Sequence, residues 1–160
     1  TDIGVVLDLM IHDLDLILAV VDSPLVRIDA VGVPVLSGKI DIANVRLSFA
    51  SGCVANITAS RTSIKTMQKI RFFGADGYHA VDYGKRELVS FSRKGTTGGT
   101  WEIRENAVSV RMQDPLEEEI RAFLASVHTR TTPLVSGAVG RRSLELGLQI
   151  VEQMKTVTEA

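Results

Sequence analysis

The sequence predicts an α+β domain in which helices cover one face of an open, mainly antiparallel sheet of about six strands. Apolar residues recur at helical spacing at the start of the chain and in two segments near its end. Between these segments, apolar and polar residues alternate along short stretches separated by turn residues. Strands that follow one another directly, with helices grouped at both ends, indicate antiparallel pairing rather than a βαβ arrangement.

The length and composition predict one globular domain, residues 1–160, with its own core. The chain has 160 residues, 45% of them hydrophobic, and a formal net charge of −1. Nothing in this charge favours nucleic acid or a membrane as a partner. The single cysteine, Cys53, excludes an intramolecular disulfide and is typical of a cytoplasmic protein. Because the chain begins at Thr1 and not at Met, we expect it to be part of a longer protein.

The first predicted helix, residues 2–21, is apolar around most of its circumference. At roughly 100° per residue, Asp8, His12 and Asp15 form one thin stripe of ionisable groups on the remaining side. Burying such groups costs free energy unless they have partners or a function. This stripe is therefore the candidate site of chemistry.

The spacing within the stripe suits proton transfer. Asp8 and His12 lie four residues apart, close enough to form a hydrogen bond on one helical face. A carboxylate on one imidazole nitrogen fixes the tautomer and makes the other nitrogen a better base, as removal of a proton from an alcohol requires. Asp15, one turn further on, would accept hydrogen bonds from substrate hydroxyls.

Two alternatives to proton transfer remain for the stripe. The histidine and the carboxylates would either tie the helix to the sheet or supply oxygen, nitrogen and oxygen ligands to a metal. The other histidines, His79 and His128, lie in unrelated contexts, so no metal site is predicted. Arg61 ends a predicted strand, where it would either bind a phosphate or carboxylate of the substrate or be a solvated strand end.

Alternation of apolar and polar residues predicts strands at residues 25–36, 42–50, 53–61, 67–74, 78–83 and 87–93, with one or two more in 101–113. The clearest pair is a hairpin through the Ser51-Gly52 turn, with Cys53 counted as a small core residue. The other face of this hairpin carries small polar residues and suits water or a flat homodimer contact. These residues are Asn44, Arg46, Ser48, Asn56, Thr58 and Ser60.

Two further helices follow the strands. Asp114-Pro115 begins one helix, whose first turn carries Glu117, Glu118 and Glu119 next to the positive end of the helix dipole. Ser136 or Gly137 begins the other, at about residues 139–157, by ordinary capping or with a phosphate bound there. The glycines at positions 95, 98 and 99 lack the spacing and the strand-turn-helix context of a dinucleotide-binding loop.

Three segments together resemble the C-terminal domain of the Gfo/Idh/MocA oxidoreductases. Residues 4–15 have the pattern Gly-x-x-x-Asp-x-x-x-His-Asp-x-Asp, which is similar to the helix that follows the Rossmann domain in that family. The hairpin at residues 42–59 and the segment at 133–146 agree with the family and occur in the same order. The helix and hairpin are most similar to the branch that oxidises UDP-N-acetylglucosamine-like sugars.

The resemblance implies a glyceraldehyde-3-phosphate dehydrogenase-like C-terminal fold and an NAD(P)-dependent dehydrogenase acting on a sugar, polyol or nucleotide-sugar. Asp8 and His12 match the catalytic carboxylate and histidine of the family, and Asp15 matches a position that contacts substrate. In that mechanism His12, oriented by Asp8 and helped by a lysine of the Rossmann domain, removes the hydroxyl proton as hydride leaves for the nicotinamide. NAD or NADP is bound mainly by the Rossmann domain, and the open sheet forms a homodimer or homotetramer.

Because the Rossmann domain and its lysine are absent from this chain, the chain alone is expected to be inactive. A rival hypothesis from another class is a non-catalytic module that uses the same fold for homo-oligomerisation or ligand binding. The two hypotheses differ in whether a Rossmann domain precedes Thr1 in the complete protein.

Overall fold

The structure, a computed structural model, describes residues 3–63, 67–75, 77–95, 101–109 and 114–156. The chain forms two compact units, one made of Thr1–Ser63 with Thr131–Ala160 and the other of Ile64–Arg130. Each unit contains antiparallel strands and at least one helix, which confirms the predicted α+β class.

The first unit is built on a four-stranded sheet. Its strands are β1 (Leu25–Val33), β2 (Ile42–Phe49), β3 (Val54–Ser60) and the short β8 (Lys155–Thr156). The order is β3-β2-β1-β8, in which β1, β2 and β3 are antiparallel neighbours and β8 runs parallel to β1. Gly52, with φ of +85°, closes the β2–β3 hairpin, as predicted from the need for a positive φ at this turn.

Strict alternation along β2 separates the two faces of this sheet. Ala43, Val45 and Leu47 are buried, whereas Asn44 and Arg46 between them are exposed. The buried side chains of the sheet and helices form one core: Val5, Val6, Met10, Leu14, Ile17, Ala30, Ala43, Val45, Leu47, Phe49, Ile57, Ala59, Leu146 and Ile150. Because β-strands turn successive side chains to opposite faces, all the helical members of this core lie on one side of the sheet, as predicted.

Three helical segments of the first unit cover that face. A π-helical turn at Val6–Met10 leads directly into α1 (Ile11–Val20), and α3 (Gly137–Gln153) packs against both. The close approach of α3 depends on Gly147, where an added Cβ would lie 2.9 Å from Leu7 Cδ2.

The second unit is an antiparallel meander with one helix. Its strands pair in the order β4-β5-β6-β7, with bounds of Lys69–Gly74, Gly77–Asp82, Glu87–Gly95 and Trp101–Ser109 respectively. Its helix is α2 (Pro115–Thr129). Asp114 caps α2 by accepting hydrogen bonds from the backbone N–H groups of Leu116 at 2.9 Å and Glu117 at 3.4 Å, and Pro115 fills the first turn as predicted.

Several predicted features differ in the structure. The strands pair in two sheets of four, where one open sheet of about six was expected, because periodicity identifies strands but not their partners. The third helix ends at Gln153 and not near residue 157, since Lys155 pairs with β1. Cys53 is exposed in the turn before β3 and does not join the core. Asp2, the first residue of the first predicted helix, lies outside the described residues, as do Gly98 and Gly99.

No helix in the described part of the chain combines the length and the apolar character that crossing a bilayer requires.

Candidate active site

The predicted stripe lies where the π-helical turn meets α1. The backbone N–H of Ile11 donates to the carbonyl of Val6, five residues earlier, which makes this turn wider than an α-helical one. The start of the turn is fixed to the sheet, because the N–H of Val5 donates to the carbonyl of Ile40 at 2.9 Å. Single π-turns inside helices occur frequently at functional sites.

Asp8 lies in the π-helical turn and is bound by an arginine. Its Oδ2 accepts a hydrogen bond from Arg61 Nη2 at 2.7 Å, and 36% of its side chain is exposed. The expected hydrogen bond between Asp8 and His12 is not among those of the described residues. The expectation assumed α-helical angles between Asp8 and His12, and the wider π-helical turn changes the angle between them. In addition, Arg61 occupies one oxygen of the Asp8 carboxylate.

His12 lies in the first turn of α1 and is exposed, with no side-chain hydrogen bond to any described residue. Its interaction within the site is electrostatic, with the next residue. Burial raises the pKa of the half-buried Asp13, and the charge of His12 opposes that rise. The imidazole of His12 is therefore accessible to solvent. It is next in sequence to the Asp13 carboxylate and one helical turn from the Asp8 carboxylate.

Arg61 is mostly buried and contacts the candidate site, so it is not a solvated strand end. It follows β3, its side chain is 15% exposed, and Nη2 also donates to the carbonyl oxygen of Ile3 at 2.9 Å. Its backbone N–H donates to the carbonyl of Asp41 at 3.0 Å, continuing the β2–β3 ladder by one pair. This pairing places Asp41 and Arg61 opposite each other at the end of the sheet.

Asp41 is a fully buried carboxylate that sequence analysis missed. Its Oδ2 accepts hydrogen bonds from three successive backbone N–H groups, those of Val35, Leu36 and Ser37, at 2.7–2.9 Å. Burial raises the pKa of Asp41, but these bonds and one from Ser37 Oγ outweigh that effect and hold the pKa at about 2. Its burial was predictable from the sequence, because alternation along the strand places Asp41 on the same inner face as Ala43 and Val45.

Asp15 is hydrogen-bonded to a serine on α3. Its Oδ1 accepts a hydrogen bond at 2.8 Å from Ser143 Oγ, and Ser143 is 3% exposed. Sequence analysis missed Ser143, although it shares the inner stripe of α3 with Gly147 and Ile150. The substrate contact predicted for Asp15 stays a prediction, and its Oδ2 has no hydrogen bond to another described residue.

The described residues do not form a metal or dinucleotide site. Within the ranges that the structure describes, no group of three or more His, Cys, Asp or Glu side chains is arranged to hold a metal ion. A dinucleotide pyrophosphate requires a glycine-rich turn between a strand and a helix. No described helix begins in that way, since Asp114 and Ser136 cap α2 and α3 with their own side chains. The described helices α2 and α3 therefore do not offer the glycine-rich turn that binds a dinucleotide pyrophosphate.

The two antiparallel sheets with their helices define an α+β domain, and comparison with known proteins gives its family. Residues 2–79 match the family model described as the GFO/IDH/MocA C-terminal domain. The chain belongs to the Gfo/Idh/MocA family, which confirms the resemblance found in the sequence.

Two characterised relatives match nearly the whole chain. UDP-N-acetylglucosamine 3-dehydrogenase of Acidithiobacillus ferrooxidans is 37% identical over 150 residues, which are 93% of this chain and 48% of that protein. Myo-inositol 2-dehydrogenase of Thermotoga maritima is 28% identical over 152 residues, covering 90% of this chain and 45% of that protein. The chain thus spans about half the length of the curated relatives it matches.

Solved structures agree with this assignment. The structure of the Acidithiobacillus ferrooxidans enzyme superposes with a TM-score of 0.85 and 35% identity, covering 96% of this chain and 48% of that one. A levoglucosan dehydrogenase in complex with NADH and L-sorbose gives a TM-score of 0.79 at 17% identity, covering 94% of this chain and 48% of the other, and shares the fold.

Proposed function

We propose that this chain is the substrate-binding half of an NAD(P)-dependent dehydrogenase that oxidises a hydroxyl group of a sugar, polyol or nucleotide-sugar. One observation carries the proposal: an accessible His12, with no hydrogen-bonded partner among the described residues, lies one helical turn from a fixed carboxylate. Two relatives that match 90% or more of the chain are named as dehydrogenases of a nucleotide-sugar and a polyol.

In this proposal His12 takes the hydroxyl proton. Oxidation of an alcohol to a ketone removes one proton and one hydride, and a neutral imidazole accepts the proton at neutral pH. Asp8 and Asp13 supply negative charge that stabilises the imidazolium once it has formed. The nicotinamide cofactor, NAD or NADP, supplies the hydride acceptor when it is bound, and we attribute its binding to a Rossmann domain that precedes Thr1 in the complete protein.

The substrate side of the site includes Asp15. Ser143 holds its Oδ1, which leaves Oδ2 to accept a hydrogen bond from a substrate hydroxyl group. Because the Acidithiobacillus ferrooxidans relative is named as a UDP-N-acetylglucosamine 3-dehydrogenase, we propose a UDP-linked sugar as the substrate to test first. The predicted cytoplasmic location and the inactivity of the chain alone stay predictions.

The test is turnover by the full-length protein that contains this chain. NADH formation is measured with UDP-N-acetylglucosamine, other UDP-sugars and myo-inositol, for the wild type and for His12→Ala. General acid–base catalysis by one group contributes about 100- to 10,000-fold, so His12→Ala is expected to lower kcat by that range. His128→Gln is the matched control, because His128 is an exposed histidine at the end of α2.

Normal turnover by His12→Ala would remove the proton-transfer role. A wild type that binds these sugars without oxidising any of them would favour the non-catalytic ligand-binding module with the same fold.

We also propose that the exposed face of the first sheet forms a homo-oligomer contact, as a homodimer or homotetramer. Its polar side chains are already bonded to one another across β2 and β3: Arg46 Nη1 donates to Asn56 Oδ1 at 3.0 Å, and Thr58 Oγ1 to Asn44 Oδ1 at 2.8 Å. These cross-strand hydrogen bonds keep the polar side chains in fixed positions on the surface that a second copy of the chain would contact.

Sedimentation of the full-length protein tests this contact. Thr58→Glu places a charge on the face and is expected to shift the protein toward monomer, whereas Gln149→Glu on the exposed side of α3 is not. A wild-type protein that stays monomeric at high concentration would exclude the contact.

A further inference from the structure

Three charged side chains lead from the core of the first unit to its candidate active site. Their side-chain exposure rises from 1% for Asp41 to 15% for Arg61 and 36% for Asp8. The distances are 3.8 Å from Asp41 Oδ1 to Arg61 Nη1 and 2.7 Å from Arg61 Nη2 to Asp8 Oδ2. The guanidinium therefore lies between a buried carboxylate and the carboxylate that the proposed mechanism uses.

The buried end of this series is rigid. Asp41 receives four hydrogen bonds from the segment Val35–Ser37, three of them from backbone N–H groups. Its own backbone N–H donates to the carbonyl of Val33 at 3.0 Å, next to the β1–β2 ladder. A buried carboxylate that accepts this many hydrogen bonds keeps its negative charge and its position.

Arg61 is fixed at several points between this anchor and the π-helical turn. Its backbone is paired with Asp41, and its Nη2 donates to Asp8 Oδ2 and to the carbonyl of Ile3. Nη2 of arginine carries two hydrogens, so both have acceptors within the protein. Ile3 and Asp8 lie before and within the π-helical turn, so the same guanidinium nitrogen binds both parts of this irregular segment.

We propose that Arg61 is a positioning residue that holds the Asp8 carboxylate in place, and that Asp41 is the buried anchor that fixes Arg61. The proposal rests on the dehydrogenase function proposed above and gives Arg61 a role different from the predicted contact with a substrate phosphate or carboxylate. The two roles differ in their effect on turnover. Loss of a positioning residue lowers kcat with KM little changed, whereas loss of a substrate-anion contact raises KM.

The test is a double-mutant cycle in the full-length protein with UDP-N-acetylglucosamine and NAD. The cycle contains the wild type, Asp8→Asn, Arg61→Gln and the double variant. If Arg61 acts through Asp8, Arg61→Gln lowers kcat by about 10-fold or more in the wild type and by less than about 2-fold in the Asp8→Asn background. Arg61→Lys is expected to recover part of the lost kcat, because lysine keeps the positive charge but lacks the planar hydrogen-bond geometry of the guanidinium group.

A matched control separates this effect from the loss of any surface ion pair. Arg141 on α3 donates to Glu145 at 2.7 Å and its side chain is 77% exposed, so Arg141→Gln removes an ion pair of the same length and should leave kcat unchanged. Equal losses in both Asp8 backgrounds, or a KM rise of about 10-fold or more with kcat retained, would overturn the positioning role.

A second measurement on the same four proteins keeps the proposal testable without turnover. The shifts of the thermal unfolding midpoint should be non-additive for positions 8 and 61, because the side chains are in direct contact. Additive shifts would overturn the contact itself. Non-additive shifts in a protein whose wild type oxidises no substrate would overturn the dehydrogenase function and the positioning role, and leave the ion pair as a structural one.

The anchor is tested by Asp41→Asn, which keeps the size of the side chain and removes its charge. The expected result is a lower kcat, with a smaller loss in the Arg61→Gln background. A folded Asp41→Asn protein with wild-type kcat would exclude Asp41 as the anchor. If Asp41→Asn does not fold, Ser37→Ala, which removes one of its four hydrogen bonds, takes its place with the same expected direction.

Discussion

Replacement of Ser143 by alanine should destabilise the first unit measurably. Ser143 Oγ donates to Asp15 Oδ1 at 2.8 Å, and Ser143 is buried at 3% exposure between α3 and α1. The variant removes the only side-chain hydrogen bond between these two helices within the described residues. It also leaves the Asp15 carboxylate with less compensation for its partial burial.

The size of the effect follows from two opposing terms. Loss of a hydrogen bond to a charged group costs about 1.5–3 kcal/mol, and the greater helix propensity of alanine returns about 0.5 kcal/mol. Because Asp15 is only half-buried, water replaces part of the lost bond. We therefore expect the free energy of unfolding to fall by about 1–2 kcal/mol and the thermal midpoint to fall by several degrees.

The assay is thermal unfolding of the full-length protein, followed by circular dichroism. Ser126→Ala on α2 is the matched control, because Ser126 is a helical serine whose hydroxyl group has no hydrogen bond to another described residue. It reports helix propensity alone and should raise the midpoint slightly. A Ser143→Ala protein that is as stable as the wild type, or more stable, would refute the argument that this bond joins α1 to α3.

Two further predictions concern stability. The pKa of Asp41 is about 2 in the folded protein, below its ordinary value, so its contribution is complete above the ordinary value and is lost as pH falls from about 4 toward 2. Asp41→Asn should therefore flatten the acid limb of the stability curve between these values, and a limb as steep as that of the wild type would contradict this. Gly147→Leu should lower the thermal midpoint strongly, because even a Cβ at Gly147 would lie 2.9 Å from Leu7 Cδ2. Gly140→Leu is the control, because a Cβ at Gly140 meets nothing within 4 Å.

The strands and their faces could be predicted from sequence because alternation and turn chemistry are local. Asn44 and Arg46 lie on the exposed face, as the alternation with Val45 indicates, and Gly52 adopts the positive φ that the hairpin turn requires. Pairing between strands is not local. The strands form two separate sheets, and Lys155 pairs with the edge of β1. Both pairings depend on which strand edges lie next to each other in the folded chain, and the local sequence does not specify this.

The stripe of Asp8, His12 and Asp15 was predictable as a set, but its contacts were not. The expected contacts assume a uniform helical angle, whereas the segment contains a π-helical turn. The start of that turn is hydrogen-bonded to Ile40, far along the chain. The partners of the carboxylates are distant as well: Arg61 lies 53 residues after Asp8, and Ser143 lies 128 residues after Asp15. Periodicity within one helix contains no information on such partners.

The buried position of Asp41 follows from the same alternation of inward and outward residues. Asp41 precedes β2 by one residue and is inward by alternation, two residues before the buried Ala43. Arg61 follows β3 by one residue and is inward in the same way, two residues after the buried Ala59. Opposite charges at two adjoining inward positions predict a buried ion pair, because an isolated buried charge is costly. The three backbone N–H groups that stabilise Asp41 came from a loop whose conformation the sequence pattern did not specify.

Chemical rescue of His12→Ala in the full-length protein tests the central claim most directly. His12 is exposed, so free imidazole added to the solution can reach the position of the missing ring. The account predicts that His12→Ala loses most of its kcat and that imidazole restores part of it, whereas imidazole does not restore Arg61→Gln. Turnover of His12→Ala at the wild-type rate without imidazole would contradict the assignment of His12 as the proton acceptor.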